Sequence, residues 1–157
     1  MAKAESDDND RLVELLQEAR NDELETVINY QANAIALSGV EAQEIADSLA
    51  EDVGEELGHA EEIGERISVL GGEPRGSYEI EMSQESLQPP EEATDQLSVV
   101  EGVIEAESDA VSTYQELVEA AEEASDPVTE DLATELLADE EEHLAEFEGF
   151  REGLLAE

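Results

Sequence analysis

Cysteine and tryptophan are absent from this 157-residue chain, and lysine and arginine together number only six. Without thiols, disulfides, iron–sulfur clusters and zinc ribbons are excluded. The six cations stand against 46 aspartates and glutamates, giving a formal charge of −40. A surface of that sign repels nucleic acid and anionic membranes, and gathers water and cations instead. Lys3 is the sole lysine, so a basic DNA-binding tail is not expected. No apolar run approaches the roughly 20 residues of a membrane span, and no secretory apolar stretch follows Met1. The expected location is therefore the cytoplasm, and acid in such excess suits a salt-accumulating halophile. Aromatics at 3% and a mean hydropathy of −0.45 match disordered chains, but the apolar residues that are present are ordered in sequence.

That order is helical. Apolar residues recur at spacings of three, four and seven in four long segments. Leu12, Leu16, Ala19 and Leu37 mark the first, and Ile45, Leu49, Ile63 and Ile67 the second. Val100, Ile104, Val111 and Leu117 mark the third, and Val128, Leu132, Leu136 and Phe147 the fourth. Ser38-Gly-Val-Glu41 has the spacing of a capping box opening helix two. Gly71-Gly72 suits the end of that helix, and Asp126-Pro127 reads as N-cap and first residue of helix four. Short links inside each pair make two antiparallel hairpins. Residues 71–92, with Pro74, Pro89 and Pro90, are long enough to run the whole bundle length. The expectation is one all-α domain over 1–157: a four-helix bundle of two antiparallel hairpins joined by a long crossover, with residues 1–7 as a flexible N-terminus.

The chain has only two histidines, and both fall on one internal repeat. Glu56-Leu-Gly-His59 recurs 84 residues later as Glu140-Glu-Glu-His143. Glu23 and Glu107 stand 33 residues before each first glutamate, and Tyr30 and Tyr114 follow them by seven. Positions i and i+3 share a helix face, and seven residues is about two turns, so each set points one way. The midpoints of Glu23/Glu56 and Glu107/Glu140 fall at the two hairpin turns, which puts each pair level, roughly 25 Å of helix from its loop. Four carboxylates and two imidazoles then converge at mid-bundle. Without partners they would repel one another or take up protons. Two divalent cations neutralise four carboxylates, and oxygen and imidazole donors without thiolate suit iron, manganese or zinc. Tyr30 and Tyr114 could hydrogen-bond a ligand or donate an electron, or serve only as core tyrosines. Glu55 and Asp139, just before the repeat's Glu56 and Glu140, could orient the histidines or lie on a solvated surface.

At these residues the sequence resembles the bacterioferritin and Dps-like branch of the ferritin-like superfamily, over about Arg11 to Arg151. "ELETVINY" and "EELGHAEE" resemble one half-site, and "ESDAVSTY" and "DEEEHLAEF" the other. The resemblance implies Glu23 and Glu107 as terminal ligands, Glu56 and Glu140 as bridges, and His59 and His143 capping one ion each. It implies two iron ions per chain, manganese being an alternative, and oxidation of Fe(II) by dioxygen or hydrogen peroxide for iron storage or detoxification. The haem-ligating methionine of bacterioferritins is replaced by Leu57, so no haem is expected. The extra glutamate of rubrerythrins is replaced by Ala110. No fifth helix follows helix four, which favours a dimer or a small cage as the homo-oligomer. A peroxide-consuming di-manganese or di-iron enzyme, and a bundle stapled by structural metal, are the alternatives.

Overall fold

The structure, a computed structural model, describes the backbone of residues 2–157 and the side chains of residues 5–157. Four helices account for most of it: α1 (Ala2–Ala36), α2 (Gln43–Val69), α3 (Gln96–Glu123) and α4 (Pro127–Ala156). A single 3-10 turn, Ser77–Glu79, interrupts the crossover, and there is no strand among the described residues. No described helix is long and apolar enough to cross a membrane.

Side-chain and backbone contacts fix the helix directions. Arg11 near the start of α1 pairs with Glu123 at the end of α3, and Ser38 N–H after α1 donates to Ala93 O before α3. Arg66 near the end of α2 reaches Asp126 at the start of α4, and Ser48 near the start of α2 donates to Glu146 far along α4. Each helix is thus antiparallel both to its hairpin partner and to its neighbour in the other hairpin. The crossover must then climb the full length of α1, and its contacts do so in order. Gln17 donates to Glu73 O, Arg20 to Arg75 O, Asn29 to Gln84 Oε1 and Asn33 to Leu87 O. Leu87 is 1% exposed and anchors the segment in the core. Gly102 of α3 makes room for it, since a Cβ there would fall 2.1 Å from Ser86 O.

The helix ends show which local signals decide. After α2, Gly71 adopts φ +89°, and the Gly71 and Gly72 N–H groups close back on Ser68 O and Ile67 O, a Schellman motif. The same pair of bonds ends α3, with Ser125 at φ +55° in the glycine position. The Asp126 carboxylate accepts from Thr129 N and so caps α4. The expected capping box at Ser38 does not form. Gly39, at φ +111°, opens a turn instead, and α2 begins at Gln43 behind Ala42, without a side-chain cap. The stripe of α4 also starts one residue later than the sequence pattern suggests. Val128 is 57% exposed, while Thr129 is buried and bonded to both Asp126 and Arg66. At the N-terminus α1 extends back to Ala2, through residues rich in good helix formers, and thus includes most of the 1–7 segment; Met1 lies outside the described residues.

The apolar core is divided in two. One cluster holds Leu12, Leu16, Ile63, Ile67, Tyr114, Leu117 and Leu136. The other holds Tyr30, Ile45, Leu49, Leu87, Val100, Val103 and Phe147. Between them lies a waist of buried polar side chains.

Candidate metal centre

The waist contains all six residues singled out by the repeat. Glu23 comes from α1, Glu56 and His59 from α2, Glu107 from α3, and Glu140 and His143 from α4. Each is 5% exposed or less. Their ligand atoms fall into two overlapping groups: Glu23, Glu56, His59 and Glu140, and Glu56, Glu107, Glu140 and His143. Glu56 and Glu140 belong to both. His59 Nδ1 lies 3.0 Å from Glu140, 3.3 Å from Glu56 and 3.7 Å from Glu23. His143 Nδ1 lies 3.0 Å from Glu56 and 3.6 Å from both Glu107 and Glu140. The two imidazoles face each other across the waist at a centroid separation of 6.5 Å.

A further layer holds these groups in place. The Tyr30 hydroxyl donates to Glu107, and the Tyr114 hydroxyl to Glu23, so each tyrosine braces the glutamate of the other hairpin. His59 Nε2 is 2.9 Å from Asp139, and His143 Nε2 is 2.5 Å from Glu55. With Nε2 bonded outward, Nδ1 is the ring nitrogen of each histidine that faces the shared carboxylates. Glu55 and Asp139 are each about half exposed, and each touches a histidine. The repeat did not reveal Asp52. It is 4% exposed and 3.5 Å from His143 Nε2, but 84 residues on its counterpart is Leu136. Its signal in the sequence was its place one turn before Glu56.

Burial and crowding redistribute the protons. Burial first, then the charges of Glu56 and Glu140, push the Glu23 carboxyl well above its usual range. Glu107 is pushed up to about 9, by burial first and then by Glu140 and Glu56. Burial also opposes ionisation of Glu56 and Glu140, but their hydrogen-bonding neighbours, the histidines among them, hold both below the usual range. Burial would lower His59 and His143, yet the surrounding carboxylates outweigh it and raise both. The Tyr30 and Tyr114 hydroxyls are raised well above normal by burial and by adjacent glutamates, so they stay protonated donors. Asp52 is pushed up to about 7, chiefly by burial.

These side chains fit metal ions on their own evidence. Glu23 Oε2 and Glu107 Oε2 are buried and have no hydrogen-bond partner, and Glu56 Oε1 and His143 Nδ1 meet only each other, at 3.0 Å. Each unmet buried polar atom costs about 1–3 kcal/mol, and here two lie beside a crowded set of carboxylates and imidazoles. Two cations, each meeting a terminal glutamate, a histidine nitrogen and the two shared carboxylates, would satisfy them all.

The fold and this waist define a class of protein, the four-helix bundle whose interior gathers carboxylates and histidines able to hold metal. The chain belongs to the ferritin-like domain family, which matches residues 13–154. It is 26% identical over 148 residues to the bacterioferritin of Desulfovibrio desulfuricans, covering 94% of this chain and 78% of that one. It is 34% identical over 144 residues to the DNA protection during starvation protein of Pyrococcus furiosus, covering 90% and 77%. In fold it matches a ferritin-like, diiron-carboxylate protein from Bacillus anthracis str. Ames with a TM-score of 0.81 at 24% identity, covering 92% and 97%.

Proposed function

We propose that the protein oxidises Fe(II) at the waist of the bundle, for iron storage or detoxification. The observation that carries this reading is the sharing of Glu56 and Glu140 by both ligand groups, which is what a pair of adjacent, carboxylate-bridged ions requires. Glu23 and His59 would complete one ion's ligands, and Glu107 and His143 the other's. The donor set accommodates iron and manganese alike, and kinship with a bacterioferritin favours iron. When bound, two ferrous ions supply one electron each to dioxygen or hydrogen peroxide. The chain's own part is to hold four carboxylates ready to balance the charge. Tyr30 and Tyr114 fix the terminal glutamates, while Asp139 and Glu55 orient the imidazoles. Leu57, 52% exposed on α2, offers a haem iron no ligand atom. Any protection of DNA, the role named for the Pyrococcus relative, would come from removing Fe(II) and peroxide, because a charge of −40 opposes contact with DNA.

The test is anaerobic loading with Fe(II), followed by air or hydrogen peroxide, in wild type and in Glu56→Ala. Stoichiometric oxidation at two irons per chain, lost in the variant, is expected. Slow bleaching without stoichiometry would refute ferroxidase activity. Rapid oxygen release from peroxide by the manganese-loaded protein would move the assignment to a peroxide-dismutating enzyme.

A further inference from the structure

The waist is open on one side. Between α1, α3 and the crossover lies a cavity of about 350 Å³. Glu23, Glu56, Glu107 and Glu140 line it, and the unpartnered Oε2 atoms of Glu23 and Glu107 belong to side chains 4% and 2% exposed. Residues 83–86 of the crossover form its roof. That roof is fixed. Gln84 N–H donates to Glu25, its Nε2 donates to Thr26 Oγ1, and its Oε1 accepts from Asn29, while Ser86 is seated against Gly102.

The walls differ from what the repeat would give on both sides. Where α1 has Asp22 and Thr26, α3 has Ala106 and Ala110, 84 residues on, and these small side chains widen the α3 wall. Glu25 and Asp109 are also repeat partners, but Glu25 is buried under Gln84, while Asp109 stays exposed on the lining with Asp22. The arrangement is therefore an acidic, concave mouth leading to two buried carboxylate oxygens with no partner.

We infer that this cavity is the entrance for divalent cations, and that Asp22 and Asp109 are positioning residues that draw a hydrated cation in and pass it to Glu23 and Glu107. The inference rests on the reading of the waist as a two-cation centre. In a chain of charge −40 every face attracts cations weakly. A cleft of one sign with low-dielectric walls concentrates that field and raises association rates by about 10- to 1,000-fold. Two of its charges should then carry a measurable part of the loading rate and none of the final stoichiometry.

Co(II) is the probe, because its binding is seen by absorbance without any turnover. Stopped-flow mixing at fixed ionic strength gives the second-order loading rate, and the final amplitude gives the ions bound. Asp22→Asn/Asp109→Asn is expected to slow loading by about three- to tenfold with two Co(II) still bound per chain. Ala110→Leu, which narrows the mouth without changing charge, should also slow it. Glu62→Gln/Glu135→Gln, the same charge change on the α2–α4 face, should load at the wild-type rate. A wild-type rate in both mouth variants, or equal slowing in the α2–α4 control, would overturn the entrance. If wild type itself binds fewer than two Co(II), the two-cation centre fails first.

Discussion

The proton inventory of the metal-free waist leads to a quantitative expectation. Burial pushes Glu23 and Glu107 up and so favours their neutral forms, while the surrounding carboxylates raise His59 and His143 and so favour their protonated forms. Glu56 and Glu140 are lowered and so ionised. Two anions then face two imidazolium cations, and the six groups sum to zero. Two divalent ions require four carboxylates and two neutral imidazole nitrogens, which again sum to zero. The change between these neutral states is loss of one proton each from Glu23, Glu107 and the two Nδ1 atoms. Loading should therefore release several protons per chain, up to about four, and each ion's apparent affinity should rise with pH, by at most about 100-fold per unit. The sign follows because binding expels protons and is favoured as pH rises. Anaerobic Co(II) addition in weak buffer with an indicator dye measures the release directly, and calorimetry in buffers of different ionisation heat checks it. Release of one proton per chain or none would mean that the imidazoles are already neutral and the glutamates already ionised, and the charge-balance account would be wrong.

Other expectations follow from single residues. Glu56→Ala removes a ligand shared by both groups and should abolish retention of both ions after desalting; Glu23→Gln touches only the group containing His59 and should weaken one ion by at least about tenfold, read by metal analysis. Gly102→Ala gains up to about 1 kcal/mol of helix propensity, but its Cβ would fall 2.1 Å from Ser86 O at an overpacking cost of about 1–3 kcal/mol, so a net loss of up to about 2 kcal/mol is expected in urea denaturation; a more stable variant would show that the crossover yields freely. Asp126→Ala should cost about 1–2 kcal/mol by removing the α4 cap. The Asp126 carboxyl is depressed by its bonds to Thr129 and Arg66, which prevail over burial, so its contribution is present at neutral pH and lost as pH falls through its folded pKa, below 3.8. The variant's deficit should shrink in that acid range and stay constant above it.

The centre was more legible than the helix ends, for a physical reason. A buried carboxylate that needs a partner restricts which residue types can occupy matched depths in two hairpins. The 84-residue offset of Glu56/His59 and Glu140/His143 records that restriction in the sequence, and the structure brings those residues together. The end of α1 carries no such constraint. Ser38 and Glu41 have capping-box spacing, but the crossover arrives there and Ala93 O takes the Ser38 N–H, so a tertiary contact replaces the local signal. Val128 and Thr129 exchange roles because Arg66, on another helix, reaches Thr129 Oγ1. Asp52 went unnoticed because a repeat exposes only what both halves keep, and Leu136 stands in the other half.

The division of the core links these observations. Two apolar clusters, one at each end of the bundle, pack the four helices together, and the waist between them adds buried polar groups rather than apolar contact. Tyr114 belongs to one cluster and Tyr30 to the other, yet both hydroxyls reach into the waist and bond Glu23 and Glu107. Each cluster thus positions one terminal glutamate from across the bundle. In the metal-free chain burial favours protons on Glu23 and Glu107, and the surrounding carboxylates, against burial, favour protons on His59 and His143. If the waist holds two divalent cations as proposed, they would take the place of those protons as partners of the carboxylates. On the proposed reading, the exchange would be confined to the polar waist, and the two apolar ends would hold the helices in place while it occurs.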